Sequence, residues 1–315
     1  MKIYVAAIAL AAIATPAAAF PDKPIELVVP FSPGGGSDVS ARIFANCLSK
    51  TLPQQVLIKN VTGARGKIAE VEVRDGRPDG YELLWAHQGM DMGLATGRST
   101  YNYEAFAPVA SSVVMNYGIF AGKATGVTSV ASLKKEVEAK PGSVSVGVAL
   151  NGFSHYAALD FLDQANIPIK SLNEIPMSGD KERIVASIQG NLTLVPTAVG
   201  AAAPYVKSGD MNAVAILSSK ADTALPDAKT AKQQGVDSEF AMFFTTYAPK
   251  HTPQDRIDVL ADAWMKAAKD PACQASLAKQ SMAVDPQSGD ELKATLAKHY
   301  QRIVTLTKKF GLKGK

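Results

Sequence analysis

The chain has 315 residues, 33 Lys and Arg against 29 Asp and Glu, and a formal net charge of +4. So mild a balance argues against nucleic acid, which favours a strongly basic face, and the length is long for one core but comfortable for two α/β domains. The two cysteines, Cys47 and Cys273, form neither a CxxC nor a Cys/His cluster of metal spacing, which argues against a structural zinc site.

The first residues read as an export signal. Lys2 is the only charge before Asp22, residues 3–14 are apolar, and Ala17, Ala18 and Ala19 give a small-x-small exit. A charged start, an apolar middle and a small-residue exit define a secretory signal peptide, here residues 1–19, with Phe20 as the new N-terminus. The apolar run is shorter than the roughly 20 residues of a spanning helix, and Thr15 and Pro16 interrupt it. No cysteine follows the cleavage point to carry a lipid. In an exported protein Cys47 and Cys273 read either as a disulfide or as two small buried residues that never meet, and the sequence leaves both open.

Strand and helix signals then alternate. Residues 25–31 (IELVVPF) form a nearly continuous apolar run, as in a strand covered on both faces. Residues 33–36 break it, and Ser37 or Asp38 can cap a helix reaching about Lys50. Strands at 55–60 and 81–86 with a helix at 66–74 complete a βαβαβ pattern, which implies a parallel sheet covered by helices. A second set follows: strands at 117–121, 143–149, 192–196 and 213–217, with helices at 132–139, 154–164, 182–189 and 202–208. Helices at 254–269, 271–279 and 289–308 end the chain. The expected division is a first domain of residues 20–121 and 221–315 and a second of residues 122–220.

Pro33, Gly34, Gly35, Gly36, Ser37 and Asp38 join the first strand to its helix. Glycines let the backbone turn sharply and approach a ligand with no Cβ in the way. The helix behind them points free N–H groups and the positive end of its dipole at that space, which suits an anion. The lysine of a phosphate loop is absent, and Val39 stands where a dinucleotide fingerprint needs glycine or alanine. A small carboxylate fits better, and a tight turn without ligand fits equally well. Residues 150–155 repeat the form after the strand at 143–149: Ser154 can cap its helix, and His155 is either a contact or a packing residue. Two such loops in separate α/β units suggest the walls of one cleft.

At this point the sequence resembles a known family. Pro21, Asp22, Lys23, Pro24 and Ile25, followed by LVVPFSPGGGSDVSAR at 27–42, are similar to the mature N-terminus of the substrate-binding proteins of tripartite tricarboxylate transporters, the Bug-type receptors. The resemblance continues through PDGYELL at 78–84, FAPV at 106–109, Ser154 and His155, Gly190, LPD at 225–227, Thr230, YAP at 247–249, Thr252 and Pro253. It implies an α/β fold of the type II periplasmic binding protein class, a two-domain Venus flytrap. The implied protein is a monomeric periplasmic receptor that holds a small carboxylate by domain closure and delivers it to a membrane permease, with no cofactor, metal or enzymatic step. The implied ligand contacts are Pro33 to Asp38 on one wall, His87 and Gln88 after the strand at 81–86, Asn151, Gly152, Phe153, Ser154 and His155 on the other wall, and Thr197. Three departures bear on the ligand: Arg65 and Lys67 stand where the family commonly has glycine and asparagine, Met177 and Ser178 where it has tyrosine and lysine, and Thr193 where it often has aspartate. Lys67 reads as a partner for a second ligand carboxylate or as a solvated lysine.

Two other classes compete. A secreted hydrolase would need a nucleophile elbow or HExxH, and neither occurs; Ser154 and His155 are merely adjacent in sequence. A ligand-sensing protein of the same fold that does not feed transport is the other. As the sensing half of a transcription regulator it would need a DNA-binding unit where this chain has its leader.

Overall fold

The computed structural model describes residues 20–314. The predicted leader, residues 1–19, lies outside the described residues. β1 (Ile25–Val29) is buried at every position except Glu26. After it come α1 (Gly36–Leu48), β2 (Val56–Asn60), α2 (Lys67–Arg74), β3 (Glu82–Ala86), α3 (Gly89–Ala95) and β4 (Phe106–Met115). Asn116 alone separates β4 from β5 (Tyr117–Gly122). The chain continues through α4 (Val130–Ala139), β6 (Val144–Val148), α5 (Phe153–Gln164), β7 (Leu172–Pro176), α6 (Asp180–Ile188), β8 (Leu194–Ala198), α7 (Val199–Lys207) and β9 (Met211–Ile216). It closes with β10 (Met242–Pro249), α8 (Gln254–Ala268), α9 (Pro271–Ala278), β11 (Ala283–Ser288) and α10 (Gly289–Phe310).

The strands form two sheets. The first has the order β11-β4-β10-β3-β1-β2 and the second β7-β6-β8-β5-β9. β1 pairs in parallel with β2 and β3, which matches the βαβαβ reading, while β10 is antiparallel to both β3 and β4. β5 pairs antiparallel with β8 and β9. Tyr117 therefore already belongs to the second sheet, and the chain passes from one sheet to the other at Asn116. The chain returns to the first sheet through residues 217–241. β4, β7, β10, β11 and α3 have no counterpart in the predicted elements. β4 (FAPVASSVVM) carries proline, alanine and serine, which weaken a strand signal, and β7 (LNEIP) is a half-polar edge strand.

The first lobe packs around Trp85 and Trp264, both fully buried. Each indole N–H has a partner: Trp85 donates to the Ser40 hydroxyl at 3.1 Å and Trp264 to the Thr246 hydroxyl at 2.7 Å. Buried aromatics with a satisfied polar handle contribute large apolar area without a desolvation cost. Cys47 of α1 and Cys273 of α9 are joined as a disulfide, with Cα atoms 5.7 Å apart.

α10 contacts β4 and α3 of the first lobe and α5 of the second. At that junction Arg302 Nε lies 2.5 Å from Asp160 Oδ1, and its Nη2 lies 3.3 Å from Asp163 Oδ2. Lys309 also pairs with Asp163, and the hydroxyls of Tyr156 and Thr307 are 2.6 Å apart. No described helix is long and apolar enough to cross a membrane.

Candidate functional site

The lobes enclose a cavity of about 220 Å³. The first lobe lines it with Phe31 beyond β1, with Ala64, Arg65, Lys67 and Glu70 around the start of α2, with His87 beyond β3, and with Met90, Met92, Arg98 and Ser99 on and after α3. Met242 of β10 joins them, and the second lobe contributes Asn151, Gly152 and Phe153.

The turn that carries Arg65 has an unusual backbone. Gly63, Ala64, Arg65 and Gly66 all have positive φ, at 125°, 46°, 58° and 97°. Glycine accepts this, but a non-glycine residue in the left-handed region costs on the order of 1–3 kcal/mol. Gly66 has a further constraint, because a Cβ there would come within 3.1 Å of Pro30 Cβ. The turn thus commits strain at Ala64 and Arg65 to a cation at the cavity wall. Arg98 is fixed from both ends: its Nε donates to Thr96 Oγ1 at 3.1 Å and its Nη2 to the Asn151 carbonyl at 3.0 Å. Both acceptors are neutral, so the guanidinium keeps its charge uncompensated. Burial, and then the Arg65 charge, lower the Arg98 pKa below the usual guanidinium value. Arg65, Lys67 and Arg98 take part in none of the ion pairs formed among the described residues.

Glu70 is the one acid at the wall among the described residues. It is buried, accepts a hydrogen bond from Tyr101 at 3.3 Å, and burial pushes its pKa up to about 7, with Tyr101 and then Lys67 opposing the rise. Burial likewise lifts Asp91 of α3 to about 7. His87 goes the other way, lowered to about 4 by burial, so it is neutral near pH 7. Its Nδ1 accepts the Gly89 N–H at 3.1 Å, which leaves the proton on Nε2 as a donor. The ring stacks on Phe31 with centroids 5.3 Å apart.

Of the residues singled out from the sequence, His87, Asn151, Gly152 and Phe153 line this cavity, as do Arg65 and Lys67. Pro33, Gly34, Gly35 and Gly36 are exposed and Ser37 is half-buried, and none of the five lines it. The Gly34 N–H already meets a carboxylate, Oδ2 of Asp38 at 2.8 Å. Asp38 is buried, and burial opposes its ionisation. Hydrogen bonds from Arg42, Gly34 and Asn60 prevail and hold its pKa below the usual carboxylate value. That anion of the glycine turn is the helix's own side chain.

Three further residues act on the backbone. Gln88 donates to the Ala241 carbonyl and accepts the Phe243 N–H, tying the end of β3 to β10. Ser154 Oγ accepts the Ala149 N–H at 3.0 Å, and His155 Nδ1 accepts the Asn151 N–H at 3.1 Å while Nε2 lies 2.7 Å from Glu174. Together they shape the turn in which Asn151 takes a φ of 56°. Thr197 is fully buried in β8, and its hydroxyl has no hydrogen-bond partner among the described residues. Arg98 escaped the sequence reading, because one arginine after a short Thr-Gly turn carries no pattern.

Two lobes, two chain crossings and a cationic cavity between them define a two-domain binding protein of the type II periplasmic class. Residues 40–312 match the tripartite tricarboxylate transporter family receptor (TctC) family, and the chain belongs to it. Protein BugT of Bordetella pertussis is 29% identical over 316 residues, covering 97% of this chain and 95% of its own. A TctC solute-binding protein from Polaromonas, solved without ligand, superimposes with a TM-score of 0.80 at 25% identity, covering 92% of this chain and 99% of that one. MatC from Rhodopseudomonas palustris, solved with bound malate, shares the fold with a TM-score of 0.73 at 24% identity, covering 91% and 99%.

Proposed function

We propose that the protein captures a small carboxylate in the interlobe cavity and hands it, by way of the closed form, to a membrane permease of the tripartite tricarboxylate type. The observation that carries this reading is the set of three cations, Arg65, Lys67 and Arg98, around one cavity whose only acid among the described residues is Glu70. Charge-assisted hydrogen bonds to a carboxylate are the strong ones, and guanidinium offers them in pairs. His87 Nε2–H adds a neutral donor. The binding of malate by MatC, a protein of the same fold, supports the ligand class.

The reading treats the two sheets as two domains, dividing at Asn116 and again within residues 217–241. Ligand touches both lobes only when they are together, so it shifts the open–closed population by its differential affinity. Residues 1–19 act as the cleaved leader that brings a monomer to the periplasm. The protein performs no chemistry on its ligand: Ser154 and His155 both spend their side-chain acceptors on backbone N–H groups and form no nucleophile–base pair. A thermal-shift screen of purified protein against carboxylates tests the proposal, since a ligand that binds the native state raises the melting temperature by mass action. A panel without any shift overturns it.

A further inference from the structure

Resting on the receptor reading above, we propose that the cavity is built for a monocarboxylate with a planar, apolar body of about benzoate size, rather than for a short aliphatic di- or tricarboxylate. Three observations lead there.

The first is charge. Lys67 lies three residues from Glu70 on α2 and over the Tyr101 ring, 6.0 Å from its centroid, so part of its charge is met at the cavity rim. The surplus is the guanidinium pair, Arg65 and Arg98, which feel each other's charge and have no carboxylate partner among the described residues. Both guanidinium groups line the cavity, and one carboxylate balances more of this surplus charge than a neutral ligand would.

The second is the remaining wall. Phe31, Met90, Met92, Phe153 and Met242 are apolar, and among the described residues no cation beyond Arg65, Lys67 and Arg98 lines the cavity. A second carboxylate on a short chain that points away from Lys67 would be desolvated against these side chains, which is costly for a charge.

The third is shape. Phe31 and His87 are parallel within 4°, and Phe153 stands edge-on to His87 at 81°. Aromatic faces and edges set at such angles suit a further ring, and thioethers favour ring edges. A cavity of roughly 150 Å³ holds benzene; at about 220 Å³ this one has room for a ring and its carboxylate. The neutral His87 Nε2–H suits a ring hydroxyl or carbonyl.

Calorimetry on the full mature chain with benzoate, 4-hydroxybenzoate, malate and adipate tests this. Benzoate or 4-hydroxybenzoate should bind at least about tenfold more tightly than malate or adipate. Phe31→Leu should weaken the aromatic ligands by about tenfold and leave the aliphatic ones within about twofold, with circular dichroism confirming the fold. Saturation transfer from the wild-type protein to the ring protons of benzoate, competed by 4-hydroxybenzoate, gives a readout that needs no variant. Tighter binding of malate or adipate, weakened by Arg98→Ala, overturns the aromatic assignment and leaves the receptor reading standing. Absence of binding by all four, or binding indifferent to Arg98→Ala, overturns both.

Discussion

Arg98 of the first lobe donates from Nη2 to the main-chain carbonyl of Asn151 in the second, at 3.0 Å. A cation at the cavity wall is thus also a strut between the lobes. Its neutral acceptor fixes the fork without discharging it, which prepares it for an anion.

Arg98→Ala should weaken carboxylate binding by about 10- to 100-fold, the range for losing a hydrogen bond to a charged group. Arg98→Lys should recover part of the loss, since it restores charge but not the fork. Isothermal calorimetry with the best ligand of the thermal-shift panel measures both. Equal affinity of wild type and Arg98→Ala would remove Arg98 from the site.

Glu70 should make stability depend on pH. Burial raises its folded pKa to about 7, above an unfolded value of about 4.3. A carboxyl with a raised folded pKa is favoured protonated in the native state. Its contribution is full below about pH 4.3 and is lost as pH rises through 7, by up to about 4 kcal/mol. Asp91 adds a loss of the same sign. Glu70→Gln should therefore flatten, without abolishing, the fall in urea stability between pH 5 and pH 8. A slope identical to wild type would show that Glu70 ionises freely in the native state.

The Arg302 junction should hold the lobes together. Asp160 is almost fully buried and takes hydrogen bonds from Arg302 and Ser238. Arg302→Ala leaves that carboxylate one partner short and should cost about 3 kcal/mol. It should also enlarge the radius of gyration of the unliganded protein in small-angle scattering. Unchanged scattering and stability would reduce the contact to incidental surface pairing.

Replacing both Cys47 and Cys273 by serine should lower unfolding free energy by about 2–4 kcal/mol, the usual loss for a cross-link closing a long loop. The loop spans 226 residues. Denaturant melts with and without reductant compare the bonded and open forms, and thiol labelling reports which form is present. Identical midpoints would mean that α9 holds its place without the bond.

The sequence made the parallel half of the first sheet readable, because β1 and β3 are buried on both faces and so appear as continuous apolar runs. β4 and β10 did not stand out. They are central antiparallel strands whose partners lie over a hundred residues apart, and that pairing leaves no local trace. At the candidate site, the chain break after β6 marks where a loop can meet a ligand and brings residues 151–153 into view, whereas His87 comes into view only through the family resemblance. The glycine turn offered the same physics, but Asp38 answers its Gly34 N–H from within. Arg98 and the buried Glu70 depend on tertiary neighbours, so single-residue patterns are silent about them.

The disulfide also has a topological result. β5 to β9, the whole second sheet, lie between Cys47 and Cys273 in sequence. The second lobe is therefore an insertion tethered at both ends by a covalent ring. A single proteolytic cut anywhere in that lobe leaves one molecule of full mass, which parts into two fragments only on reduction. Limited digestion followed by paired reducing and non-reducing gels would thus report lobe opening without losing the nicked product.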